Sequence, residues 1–175
     1  MTINTYTPET EIAKSERIAL AAFKKTAHFA ELKLSYRRKQ QDYPSYRIDS
    51  TDVAIHYLRH LWDKDTIELR EEFILVCLSN SLNVNGWIKL HSGGFQDCPV
   101  DVRLILGVAL QTASCAILVA HNHPSGQVMP SYADKKLTAH IGQACRVMGI
   151  RLLDHVILTS KESFSFRDRE PGALM

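Results

Sequence analysis

Apolar residues recur along this chain at two periods, and the changes from one period to the other mark out its elements. From residue 8 to about residue 40, Ile18, Ala22, Phe29, Leu32 and Tyr36 step at roughly helical spacing, which predicts one or two helices. Asp49, Ser50, Thr51 and Asp52 are cap candidates for a further helix. Ala54, Ile55, Leu58, Leu61 and Trp62 repeat at helical intervals after them, to about Asp63. EEFILVCLS then reads as a strand begun by Glu71, SNSLN as a polar turn of hairpin length, and VNGWIKLHS as a second strand antiparallel to the first, broken by Gly93 and Gly94. Asp101 caps VRLILGVALQTA, whose apolar side is nearly continuous, so a central, well-buried helix is expected. AILVA is an unbroken apolar run of the length of a strand buried on both faces. Ser131 opens another helix, with Leu137, Ile141 and Val147 facing inward and Gly149 as its stop. LLDHVIL is a further inner strand, and SFSF alternates as an edge strand. Together these predict an α/β (α+β layered) fold, a mixed sheet with helices on both sides. Residues 1–45 form a helical extension and 46–175 the main domain.

Length and composition narrow the class without naming a chemistry. A chain of 175 residues, 45% of them apolar, builds one domain of ordinary size. A net charge of +2 gives no strong overall pull toward nucleic acid or membrane. The local balance differs: from Lys14 to Lys39 there are eight Lys or Arg against two Glu, and Lys33, Arg37, Arg38 and Lys39 cluster beside Tyr36. They offer a weak nucleic-acid contact, against the plainer alternative of an amphipathic helix with a solvated face. Cys77, Cys98, Cys115 and Cys145 show no C-x-x-C pairing and read as reduced core thiols. No run of 18 apolar residues exists, and the first residues lack a charged segment followed by an apolar one. A soluble, cytoplasmic chain with no membrane contact is expected.

The candidate chemistry lies in AILVAHNHPSGQVMPSYAD, residues 116 to 134. Residues two apart on an extended chain project to the same side, so His121 and His123 can aim both imidazoles at one ion just past the strand end. Asn122 points elsewhere. PSGQVMP is loop chemistry with room to fold back. Ser131 and Asp134 form an S-x-x-D capping pattern that puts the carboxylate in the first helical turn. Singly, each of these is ordinary: a strand-end histidine, a helix cap, a loop. Jointly they offer two imidazoles and one carboxylate, which leave the fourth position of a tetrahedral Zn2+ free for water, the arrangement of a hydrolytic site.

HNHPSGQVMPSYAD resembles the JAMM motif of the JAB/MPN metallopeptidase superfamily, and most closely its bacterial branch RadC. The resemblance extends from about Ser50 to about Arg167, through EEFILVCLSN at 71–80, PVDVRLILGVALQTASCAILVAHNHPSG and GIRLLDHVIL at 149–158, in the family's order. It implies a JAB/MPN-like fold and a zinc-dependent cut of a peptide or isopeptide amide in a peptide or protein substrate. His121, His123 and Asp134 would be the metal ligands. A Glu on an early strand would be the general base, matched by Glu71 with adjacent Glu72 as rival, since a one-residue slip turns the side chain to the opposite face. Ser131 would hydrogen-bond the oxyanion. Asp154 and His155 carry titratable groups in an apolar strand; Asp154 would orient a ligand imidazole, or the two would form a buried pair bonded only to backbone.

Rival zinc chemistries lack their letters here. There is no HExxH of the zincin proteases and no H-x-E with P-C-x-x-C of the nucleobase deaminases. The string HNH does not make an HNH nuclease, whose named residues are spread over a longer hairpin. RadC relatives often carry a helix-hairpin-helix module and have been described as DNA-repair factors. No Gly precedes Gly86 to build such hairpins, and no pattern here supplies repair chemistry. A non-catalytic module that keeps the fold remains an alternative, its sequence sign being lost ligands, and all three are present here; a DNA-associated accessory role is the other alternative, motivated by the basic helix.

Overall fold

A computed structural model describes residues 14, 16–18, 46–93 and 100–174 of the chain. The chain divides into two compact units, Met1–Leu34 and Ser35–Met175. In the first, residues 14 and 16–18 are helical and Ile18 is exposed. Lys33, Arg37, Arg38, Lys39 and Cys98 lie outside the described residues.

The second unit is a five-stranded mixed sheet. Its strands are β1 (Glu72–Leu78), β2 (Val84–Ser92), β3 (Ala116–Asn122), β4 (Arg151–Leu158) and β5 (Ser163–Ser165), in the spatial order β2-β1-β3-β4-β5. Only β3 and β4 run parallel, joined through a helix as a parallel pair must be; the other pairs are antiparallel. Helix α1 (Thr51–Leu61), with Ser50 accepting the Val53 N–H at its N-cap, covers one face. Helices α2 (Val102–Gln111) and α3 (Tyr132–Val147) cover the other. The period of two sorts the strands: Ile74, Val76, Leu78, Leu118 and Ala120 pack toward α1, whereas Phe73, Leu75, Cys77, Ile117 and Val119 pack toward α2 and α3. Strands β1 and β3 are buried at every position, and β3 sits in the middle. Its last residues therefore open onto a fixed end of the sheet.

Several expectations change. Glu71 precedes β1 and does not begin it; Glu72 does. Helix α2 is a covering layer: Val102, Ile105 and Ala109 are buried while Leu104 and Leu110 face solvent, because one helix face suffices to cover the sheet. In α3 the inward line is Thr138, Ile141, Gly142 and Cys145, so Val147, about 200° round the helix from Cys145, is exposed. The edge strand ends at Ser165, where its hydroxyl accepts the Asp168 N–H and caps the short helix α4 (Phe166–Arg169). Cys77 and Cys145 are core thiols as expected, but Cys115, the residue before β3, is exposed. Gly149, at φ 68°, closes α3 in the left-handed conformation that glycine adopts without strain.

Candidate metal centre

Residue His121 lies on β3 between Phe73 of β1 and Ile157 of β4 and is 1% exposed. His123 follows just past the strand, its N–H still bonded to the Leu158 carbonyl at 2.9 Å. The loop to α3 returns the chain so that Asp134, in the first turn, reaches both rings. His121 Nε2 lies 3.0 Å from His123 Nε2 and 3.1 Å from Asp134 Oδ1, and His123 Nε2 lies 3.5 Å from Asp134 Oδ2. The potential ligand atoms of these three residues lie within 4.8 Å of one another, the one such cluster found among the described residues.

The back of each ring is fixed. His123 Nδ1 lies 2.7 Å from the Gln127 carbonyl, which can only accept, so that nitrogen carries a hydrogen and, in the neutral ring, Nε2 presents a lone pair to the cluster. His121 Nδ1 lies 2.8 Å from His155 Nε2. The Asp134 carboxylate accepts from the Ser131 N–H at 2.7 Å and the Ser131 hydroxyl at 2.6 Å, while the Asp134 N–H donates to Ser131 Oγ, completing a capping box. Lone pairs packed this closely repel unless a cation lies among them. A proton or a metal ion meets that need, and two imidazoles with one carboxylate suit a divalent transition ion. The charges agree. Burial would raise the Asp134 carboxyl, but bonding to His121, His123 and Ser131 outweighs it and holds the group far below the usual carboxylate range. Burial would lower His123, but Asp134, the Gln127 carbonyl and the Glu71 charge raise it overall. The residues present thus fit an ion.

Outside the cluster opens a cleft of about 610 Å³, lined among others by Glu71, Leu69, His123, Pro124, Met129 and Ser131. The two adjacent glutamates part company here. Glu71 faces the cleft and carries its charge toward His123. Glu72 is fully buried: Arg70 Nε lies 2.9 Å and Lys89 Nζ 2.8 Å from its carboxylate, and Ser92 adds a longer bond. Burial would raise its pKa, and Lys89 and Arg70 together bring it below the ordinary value.

The RadC-like JAB domain family matches residues 48–171. The chain belongs to that family. Among RadC-type relatives, a UPF0758 protein of Acinetobacter baumannii is 36% identical over 141 residues, 78% of this chain and 60% of the relative. One of Acinetobacter baylyi is 35% identical over 148 residues, 83% and 54%, and one of Flavobacterium johnsoniae 39% over 98 residues, 56% and 43%. The matched stretch therefore spans about half the length of these relatives, from 43% to 60%. No helix among the described residues of this RadC-type chain is long and apolar enough to cross a membrane.

Asp154 and His155 separate as neighbours on a strand must. Asp154 does not orient a ligand imidazole: it accepts from the Ser165 hydroxyl at 2.6 Å and the Arg167 N–H at 2.9 Å, tying β4 to the β5–α4 corner. His155 faces the cluster instead, bonded to side chains and not only to backbone. Its Nδ1 lies 2.6 Å from Thr138 Oγ1, its ring stacks on Phe166, and burial holds it neutral, its pKa well below the ordinary value. Thr138 was not singled out in the sequence; it stands four residues after Asp134, on the same helix face. Asn122 also gains a role. Its Nδ2 donates to the Ile67 and Arg70 carbonyls, and its Oδ1 accepts the Glu72 N–H.

Proposed function

We propose that this chain is a zinc-dependent hydrolase that cuts a peptide or isopeptide amide in a cytoplasmic peptide or protein substrate. The observation that carries this reading is the convergence of His121, His123 and Asp134 beside a cleft that His123, Ser131 and Glu71 line. Held by those three residues, Zn2+ would supply Lewis acidity and lower the pKa of a water to about 7. Glu71 takes the proton from the attacking water and returns it to the departing amine, assistance typically worth about 10²- to 10⁴-fold. Glu72 is unfit for that exchange, because its carboxylate is held by Arg70 and Lys89 away from the cleft. Ser131 donates to the carbonyl oxygen as charge develops there. In the present conformation its hydroxyl donates to Asp134 Oδ2, so this role requires rotation of the hydroxyl. Loss of such a donor typically costs on the order of 10²- to 10³-fold.

The reading is tested by metal analysis of the full chain prepared without chelator, beside His121→Ala and Asp134→Ala. About one zinc per chain in the wild type and none in the variants is expected. A wild type that takes up no zinc removes the basis of the proposal.

A further inference from the structure

Three hydrogen bonds in a row connect the backbone of α3 to His121 Nδ1, the ring nitrogen on the side away from the cluster. Thr138 Oγ1 lies 2.6 Å from the Asp134 carbonyl oxygen, and His155 Nδ1 lies 2.6 Å from Thr138 Oγ1. His155 Nε2 lies 2.8 Å from His121 Nδ1. Thr138 and His155 are both fully buried, and His155 lies between Phe166, with ring centroids 5.1 Å apart, and Phe73, at 5.8 Å.

The placement of every proton along this row follows from its first member. A carbonyl oxygen has no proton to give, so a 2.6 Å contact requires the Thr138 hydroxyl to donate to Asp134 O. Having spent its one proton there, Thr138 Oγ1 can only accept from His155, so Nδ1 of His155 carries a hydrogen. A second hydrogen on that ring would make an imidazolium walled by two phenylalanines, with no carboxylate bonded to it among the described residues, and such a charge is costly to bury. His155 Nε2 is therefore bare and accepts, which places a hydrogen on His121 Nδ1. The remaining nitrogen, His121 Nε2, is left as a lone pair 3.1 Å from Asp134 Oδ1.

We infer that Thr138 and His155 are positioning residues that fix the tautomer of His121, so that its Nε2 is a metal-binding lone pair before any ion arrives. Asp134 is then used twice: its carboxylate faces the ion, and its main-chain carbonyl sets, through two side chains, the proton on the opposite edge of another ligand. Partners behind a ligand imidazole typically change metal affinity about 10- to 100-fold when removed. The metal-affinity half of this inference rests on the zinc reading above, whereas the tautomer half concerns the metal-free protein and stands apart from it.

The test is two measurements on the full chain and on Thr138→Val and Thr138→Ser. Valine keeps the shape and removes the hydroxyl; serine keeps the hydroxyl. In the metal-free, ¹⁵N-labelled protein at mildly alkaline pH, long-range ¹H–¹⁵N correlation spectra report which ring nitrogen bears hydrogen. The wild type and Thr138→Ser are expected to show His121 and His155 both protonated at Nδ1, and Thr138→Val to show a mixture at both rings. Zinc affinity by competition with a chromophoric chelator is expected to fall about 10- to 100-fold in Thr138→Val and to be retained in Thr138→Ser. A merely structural defect would lower stability without moving the His121 proton. Wild-type His155 protonated at Nε2, or a Thr138→Val protein whose His121 tautomer and zinc affinity are unchanged, overturns the inference. If the wild type binds no zinc, the hydrolase reading fails and the spectra alone decide the relay.

Discussion

The side-chain oxygen of Asn122 accepts the backbone N–H of Glu72 at 2.8 Å, so the residue between the two histidines holds the segment that carries Glu71. The amide nitrogen of the same side chain donates to the Ile67 and Arg70 carbonyls at 2.7 and 2.9 Å. Asn122→Ala leaves buried backbone groups unpaired and is expected to lower stability by about 2–4 kcal/mol, at roughly 1–3 kcal/mol for each unsatisfied group with partial relaxation. Urea unfolding measures this. Zinc affinity, which depends on the neighbouring side chains, should change far less, and a variant as stable as the wild type would contradict the anchoring role.

Adjacent glutamates give opposite outcomes. Glu71→Gln is expected to leave stability and metal content intact while lowering amide hydrolysis by about 10²- to 10⁴-fold. Glu72→Gln takes the charge from between Arg70 and Lys89, whose heads are partly solvated, and should cost roughly 1–2 kcal/mol in stability. Paired urea and zinc titrations of the two variants check this; a larger stability loss in Glu71→Gln would reverse the assignment.

In the metal-free protein the cluster makes stability depend on pH in a defined sense. Asp134 has a folded pKa below its unfolded value, so its contribution is present above the ordinary carboxylate range and lost as pH falls through the depressed value. His123 has a raised folded pKa, so its contribution is full below the ordinary histidine value, about 6.5, and lost as pH rises through the folded one. Buried His155, held neutral, works in the opposite direction, and the comparison must therefore be made against Asp134→Asn at each pH. The stability gap between wild type and Asp134→Asn is expected to be wider at pH 5.5 than at pH 8.5. An equal gap at both values would mean that the His123–Asp134 pair does not form.

Thiol reactivity should follow burial. Burial raises the Cys145 thiol to about 11. It also raises Cys77, against a smaller opposing effect of the Thr112 and Ser114 hydroxyls. Alkylation at pH 8 requires thiolate, and a thiol at about 11 supplies on the order of one part in a thousand. Peptide mapping after brief iodoacetamide treatment is expected to find Cys115 modified, with Cys77 and Cys145 modified only after denaturation. Early labelling of Cys145 would show that α3 opens readily.

The elements closest to the site were the most legible, because there the local signals agree. AILVA is too apolar for anything but a doubly covered strand, two-residue spacing puts both imidazoles on one side, and the Ser131–Asp134 box places the third ligand by helix geometry alone. Where a signal rests on one residue of phase it leaves a choice open: Glu71 and Glu72 differ by a single step of the chain, and they are told apart by the ion pairs of buried Glu72 and the place of Glu71 in the cleft lining. Helix α2 misled because an apolar run says that a helix packs, not how much of its circumference does. Thr138 was out of reach. Its meaning depends on His155 of β4 standing opposite α3, a contact between elements that no spacing within one element encodes.

Because β3 is laddered on both sides, to β1 through Phe73–His121 and to β4 through His121–Ile157, the bed under the two rings belongs to the part of the molecule that opens last. Amide hydrogen exchange at His121 and Asn122 should consequently track global unfolding whether or not an ion is present. Unlike a zinc finger, which collapses when stripped, such a centre can lose its ion to a chelator and regain it without refolding.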